Sequence, residues 1–131
     1  MAEMNLAKRI PVEEIIRQDV QRTGGDFDTV YDGLEKSINE GKTRILRHNN
    51  TLLIYNITSK GVAEVHLATS EAPNEIIEAL KSFYHSFKVA GFTALHSEID
   101  DPQIIRIIQM AKIPVQSHQK QGGYLITIEV K

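Results

Sequence analysis

The chain has 131 residues, of which 41% are hydrophobic and 24% are charged, a composition typical of one globular domain spanning residues 1–131. It contains no cysteine, which excludes a disulfide framework, a thiolate metal site and a cysteine nucleophile. Its 15 basic and 17 acidic residues give a net charge of −2. This balance argues against a nucleic-acid or anionic-membrane binder, because both need a local excess of positive charge.

The N-terminal third predicts a short strand followed by two helices. Residues 5–10 are a candidate strand, and the start of the chain lacks the apolar stretch of a signal peptide, so we expect a cytoplasmic protein. Pro11 opens the first helix, and Gly24-Gly25 end it. Asp26 is a good N-cap for the second helix, which Gly41 ends. The apolar positions of this helix are three or four residues apart: Phe27, Val30, Tyr31, Leu34 and Ile38.

The middle of the chain changes from helical to alternating periodicity. Residues 43–48, 51–58 and 62–68 predict a three-stranded antiparallel meander, with Asn49-Asn50 in its first turn. A long helix follows, with Pro73 at its start and Gly91 at its end. We expect its apolar face to be largely buried: Ile76, Ile77, Leu80, Phe83, Tyr84 and Phe87.

The C-terminal part predicts a strand, a helix and a closing hairpin. Residues 92–99 form a strand that should lie parallel to the last meander strand and diverge from it, because the two are joined by a helical crossover. Asp100 or Asp101 caps the fourth helix, and residues 115–119 and 124–130 complete the sheet. The predicted class is α+β, with the order β-α-α-β-β-β-α-β-α-β-β and helices on both faces of a mixed sheet.

This order resembles the GNAT (Gcn5-related N-acetyltransferase) fold over essentially the whole chain. Residues 95–113 resemble the second conserved block of the family, in which a strand ends in Asn and the following helix ends in Gly-Phe. Asp101 stands where that Asn would be, and Lys112-Ile113 stand where Gly-Phe would be. The resemblance implies an acyl-CoA cofactor and transfer of an acetyl group to an amine.

The loop that holds the cofactor in the family differs here. The resemblance implies a Q/R-x-x-G-x-G/A loop whose backbone N–H groups bind the pyrophosphate. The corresponding residues are Thr69-Ser70-Glu71-Ala72-Pro73-Asn74, and no glycine occurs between Gly61 and Gly91. Pro73 removes an N–H donor and Glu71 adds a negative charge, while Thr69 or Ser70 remains a good helix cap. We therefore expect no pyrophosphate binding at this loop and no bound cofactor.

The groups that transfer protons in the family are also weakly represented. A tyrosine on the fourth helix commonly protonates the departing thiolate, and Ile108 occupies that position. The base is often a Glu on the last meander strand, where Glu64 stands, although a lone Glu in an alternating strand usually faces solvent. If the chain were active, the resemblance would make Glu64 the base and would place the cofactor against Thr69, Ser70 and Ala72.

Two other groups of residues have a structural and a functional interpretation. His66 and His96, with Glu64 and Glu98, could meet where the sheet splays apart, yet they lack metal-ligand spacing and we assign no metal. A basic edge near the first hairpin could meet nucleic acid, but it lacks interleaved aromatic residues and fits a charged edge strand better. The residues of this edge are Lys42, Arg44, Arg47 and His48.

A small GNAT-like chain with an altered cofactor loop resembles proteins encoded by tailed bacteriophages. That resemblance implies a non-catalytic protein in the host cytoplasm or the virion, acting by contacts with phage structural proteins or with itself, and not with nucleic acid or a membrane. The alternative is an acyl-CoA-dependent N-acetyltransferase with a divergent loop. A third hypothesis is a binding module directed at a host protein.

Overall fold

The computed structural model describes residues 9–131, and most of the candidate strand at residues 5–10 lies outside that range. Four helices span Val12–Arg22 (α1), Phe27–Asn39 (α2), Pro73–Val89 (α3) and Gln103–Met110 (α4). Six strands span Thr43–His48 (β1), Thr51–Ser59 (β2), Val62–Thr69 (β3), Ala94–Ile99 (β4), Val115–Lys120 (β5) and Gly123–Glu129 (β6).

The strands form one mixed sheet in the order β1-β2-β3-β4-β6-β5. Strands β1, β2 and β3 are the expected antiparallel meander, and β5 and β6 are the closing hairpin. Strand β4 runs parallel to β3 and antiparallel to β6. The α+β class, the element order from the first helix onward and the parallel β3–β4 pair are therefore confirmed.

Helices cover both faces of the sheet. On one face, α3 and α4 bury the larger core cluster, which includes Leu80, Phe83 and Leu95. On the other face, α1 packs over β2 and β3 through a smaller cluster. The buried members of that cluster are Ile15, Ile16, Val20, Leu52 and Ala68. Helix α2 rests at the margin of this cluster and contributes no buried residue.

Local sequence signals explain most of the element boundaries. The Asp26 carboxylate accepts a hydrogen bond from the Thr29 N–H (3.1 Å), which confirms the predicted N-cap of α2. Asn49 adopts a φ of +52° in the β1–β2 turn, a conformation that Asn tolerates better than most residues. Asp101 accepts from the Gln103 N–H (2.9 Å) at the start of α4.

Two expectations about α3 need correction. Ile77 and Tyr84 are only partly buried. They lie at the margin of the apolar face of α3, whose centre is formed by the buried residues Ile76 and Phe83. The Tyr84 hydroxyl donates to the Glu129 carbonyl (3.1 Å), so its polar end has a partner. The N-cap of α3 is Ala72, which provides no side-chain hydrogen bond.

Candidate functional site

A wedge-shaped cleft opens between β3 and β4. The two strands pair only over their first residues, from Val62 with Ala94 to Glu64 with His96. The closed end is fixed by the Gly61 carbonyl, which accepts from the Thr93 N–H (2.7 Å). Beyond Glu64 and His96, β3 pairs only with β2 and β4 only with β6. The predicted divergence of the two strands is therefore confirmed.

The cleft has a volume of about 580 Å³, within the range of roughly 300–1,000 Å³ that is usual for ligand sites. Its inner wall is apolar and comes from the core cluster beneath α3 and α4. Ile108, on α4, is part of this wall and is almost fully buried. Polar side chains from α1, β3, β4, the β4–α4 loop and the end of β5 surround the opening: Asp19, Arg22, His66, Glu98, Asp100, Asp101 and Lys120.

An Asp–His pair joins α1 to β3 inside this cleft. Asp19 Oδ2 lies 2.7 Å from His66 Nε2, and Asp19 Oδ1 lies 3.2 Å from the Arg22 guanidinium. Burial raises the pKa of Asp19, but the hydrogen bonds and charges of His66 and Arg22 outweigh it and hold that pKa below its ordinary value. Asp19 is therefore an ionised anchor for His66, whose side chain is half exposed.

The opening of the cleft is acidic. Four carboxylates line it against two cationic side chains, Arg22 and Lys120, a formal excess of two negative charges with His66 neutral. Lys120 pairs with Glu98 at 2.9 Å, and Arg22 lies 4.0 Å from Asp100. These exposed pairs contribute little to stability. A ligand at the opening meets the net excess of carboxylates over cationic groups.

The backbone N–H groups of the loop between β3 and α3 donate to acceptors within the chain. The Ser70 N–H donates to the Asn50 carbonyl (3.1 Å), and the Glu71 N–H donates to Thr69 Oγ1 (3.0 Å). The Ala72 N–H donates to the Glu75 carboxylate at 3.2 Å. Three donors that a glycine-rich loop would present to a phosphate are thus already engaged.

The first turn of α3 offers almost no further donor. Pro73 has no N–H, and the N–H groups of Glu75 and Ile76 both donate to the Ala72 carbonyl (2.9 and 3.0 Å). Within the described chain, Asn74 has the one N–H between residues 70 and 76 without a partner. A single donor cannot replace the converging set that a pyrophosphate needs.

Glu71 is held by the β1–β2 hairpin. Its Oε1 accepts from Thr51 Oγ1 at 2.6 Å and from the Asn50 N–H at 3.2 Å. Thr51 is fully buried and also bonds Thr69 Oγ1 at 2.6 Å. The carboxylate expected to repel a polyanion is therefore directed to a structural partner, and the Glu75 carboxylate is the one that occupies a loop donor.

The predicted cap residues have other roles. Thr69 lines the cleft and accepts from Glu71, whereas Ser70 Oγ donates to Gln18 Oε1 at 2.5 Å. Neither caps α3, because the helix begins three residues beyond Ser70. The interpretation of Thr69 or Ser70 as the helix cap was wrong.

Glu64 and the histidines are not gathered into one site. Glu64 is exposed on the paired part of β3, opposite His96, and is not among the cleft-lining residues. The Nδ1 atom of His96 lies 3.2 Å from Thr127 Oγ1. Between residues 9 and 131, no three His, Asp or Glu side chains lie close enough to hold a metal ion.

Sequence reasoning missed the Asp19–His66 pair. His66 was singled out on β3, but Asp19 belongs to the polar face of an amphipathic helix whose contact with β3 is tertiary. Position alone gave no signal, since 47 residues separate the two.

The basic edge near the first hairpin is partly occupied by internal contacts. Arg47 donates to the Ile10 and Asn49 carbonyls and to Asn50 Oδ1, and Lys42 pairs with Glu40 at 3.6 Å. The guanidinium of Arg47 therefore ties the N-terminal segment to the hairpin. In the described part of the chain, no helix has the length and apolarity to cross a bilayer.

No protein-family model matches the sequence, and no curated protein matches it significantly. Solved structures do match. A protein of the GNAT family from Desulfovibrio desulfuricans superposes with a TM-score of 0.62 at 14% identity, and the match covers 95% of each chain. The chain has the GNAT fold.

Two further solved structures show the same fold at low identity. Tetrahymena GCN5 matches 92% of this chain and 84% of its own with a TM-score of 0.62 at 10% identity. The Salmonella typhimurium protein yncA, solved with its cofactor acetyl-CoA, matches 81% of this chain and 73% of its own with a TM-score of 0.56 at 12% identity. These similarities concern the fold, and the chemistry depends on the side chains of this chain.

Proposed function

We propose that this chain is a non-catalytic GNAT-fold protein that acts through protein–protein contacts. The observation that carries the proposal is that, between residues 70 and 76, every N–H group except that of Asn74 is bonded within the chain or absent. Because these donors would have to leave existing partners, the residues present do not fit an acyl-CoA pyrophosphate.

The charge of the cleft supports the same proposal. A coenzyme A molecule is a polyanion, and it would enter an opening with two excess negative charges. The positive end of the α3 dipole remains, but a contribution of about 0.3–1 kcal/mol does not replace several direct donors. Ile108 supplies only hydrocarbon where the family commonly has a proton donor.

The resemblance to proteins of tailed bacteriophages favours a partner in or around a virion. The cleft and the exposed apolar residues of α2 are surfaces that such contacts could use, since Val30 and Ile38 remain exposed on a helix with no buried residue. That the partner belongs to a virion stays a prediction.

Isothermal titration calorimetry with acetyl-CoA tests the proposal. We expect no saturable heat up to about 1 mM ligand, where a binding free energy of about −4 kcal/mol would become visible. The double variant Pro73→Gly, Glu75→Gly would add the N–H that proline lacks and free the Ala72 N–H, and Glu78→Gly is the matched control on the same helix. Micromolar binding by the parent would overturn the proposal.

The Asp19–His66 pair favours a second candidate, an acyl-CoA-dependent N-acetyltransferase. With Nε2 held by Asp19 at 2.7 Å, the other ring nitrogen of His66 could accept a proton from an amine in the cleft. Under this alternative His66 is a better placed base than Glu64, which does not line the cleft. Acetyl transfer to a panel of amines that is lost in His66→Gln and partly restored by added imidazole would support it.

A further inference from the structure

The cleft presents two facing backbone edges. Residues 65–69 of β3 and residues 97–99 of β4 have one strand neighbour each, so their cleft sides have no strand partner in the described chain. N–H and C=O groups alternate between the two sides of a strand, so about half of these residues direct theirs into the gap. Such an edge is a template for a further strand.

At the gap, the two faces of the sheet carry different side chains. Side chains alternate along a strand, so Val65 and Leu67 face the apolar layer beneath α3, whereas His66 faces α1. By the same alternation Glu98 lies on the face opposite Leu95, which is in the core. A strand placed in the gap would therefore meet apolar groups on one face and acidic groups on the other.

We propose that the cleft binds an extended peptide segment of a protein partner, added as a strand between β3 and β4, in which apolar residues alternate with Lys or Arg. The excess of two negative charges around the opening selects basic residues, and the apolar wall selects the alternate positions. At about 3.3 Å per residue, the free part of β3 accommodates four or five residues. This inference rests on the proposed function, because the peptide occupies the gap that a bound cofactor would need.

Selection from a library of displayed ten-residue peptides on the intact chain tests the inference. Selected peptides, labelled and measured by fluorescence anisotropy, should alternate apolar and basic residues. The double reversal Glu98→Lys, Asp100→Lys should weaken them at least about tenfold, because both side chains are exposed at the opening. The matched control is Glu78→Lys, Glu129→Lys, which makes the same change in net charge outside the cleft-lining residues and should leave affinity within about twofold.

A second variant keeps the test valid if the charge reversal disturbs folding. Ser97→Trp fills the cleft without changing its charge, and it should abolish binding while the far-UV circular dichroism stays that of the parent. Amide resonances of residues 65–69 and 97–99 should shift when peptide is added to the parent.

Three results would overturn the inference. The first is that the selected peptides show no excess of basic residues. The second is that peptides bind Ser97→Trp as tightly as the parent. The third is that hexylamine displaces the peptide completely, which would indicate a small amine site. A chain that binds neither peptide nor acetyl-CoA would refute this inference alone. Acetyl-CoA binding by the parent would refute the proposed function.

Discussion

Removal of the Glu71 carboxylate should make the folded chain less stable without creating a cofactor site. Glu71 Oε1 accepts hydrogen bonds from Thr51 Oγ1 at 2.6 Å and from the Asn50 N–H at 3.2 Å. Hydrogen bonds to charged groups contribute about 1.5–3 kcal/mol each. Two such bonds sum to about 3–6 kcal/mol. Because Glu71 is partly exposed and Thr51 keeps its bond to Thr69 in the variant, we expect Glu71→Ala to lose less than this sum, about 2–3 kcal/mol of unfolding free energy.

Urea denaturation followed by circular dichroism measures this loss. With a slope of roughly 1–3 kcal/mol/M, the midpoint should fall by about 1–2 M. Glu71→Gln keeps an acceptor oxygen and should lose about half as much. Glu78→Ala is the control, since Glu78 is exposed and forms a surface ion pair with Lys81, and it should change stability by less than about 0.5 kcal/mol. An unchanged midpoint for Glu71→Ala, or acetyl-CoA binding by that variant, would refute the assignment of Glu71 as a structural anchor.

Four further variants test the packing, two glycine positions and an ion pair. Leu80→Ala removes a buried side chain of the larger core and should cost about 2–5 kcal/mol, so an unchanged urea midpoint would contradict the assigned core. Gly123→Ala should destabilise the chain, because a Cβ at this position would lie 2.3 Å from the Ile99 carbonyl oxygen. Gly33→Ala has open space around it and should stabilise α2 by about 0.5–1 kcal/mol. The thermal unfolding midpoints of the two variants should therefore move in opposite directions. Asp19→Asn should cost about 1 kcal/mol at neutral pH. Folding lowers the pKa of Asp19, so the ionised carboxylate stabilises the folded chain. The difference in unfolding free energy between the parent and this variant should be complete above about pH 4 and should disappear as the pH falls further. A difference that persists at pH 2 would argue against the ion pair.

The elements of the fold could be predicted because their signals are local. Helical spacing placed α3 correctly, and the Asp26 cap and the Asn49 turn each depend on residues within four positions. The parallel β3–β4 pair followed from the handedness of helical crossovers.

Most contacts of the site could not be predicted, since they depend on tertiary structure. The sequence indicated that Glu71 and Pro73 disfavour a phosphate, but the Glu71 carboxylate is held by a hairpin some 20 residues earlier in the chain. The engagement of Ala72 by Glu75 is local, and the spacing of a carboxylate at the third helical position could have indicated it. The pairing of Asp19 with His66 needed the packing of α1 on β3.

A non-catalytic role depends most directly on whether the β3–α3 loop has free N–H donors for a phosphate. An amide-resolved NMR titration of the full chain with acetyl-CoA measures this at each N–H. We expect the amide resonances of residues 70–76 to stay unchanged up to about 1 mM ligand, because every N–H donor except that of Asn74 is engaged or absent. Saturable shifts of the Ala72 and Asn74 amides at micromolar acetyl-CoA would contradict it and make the acetyltransferase alternative the better account.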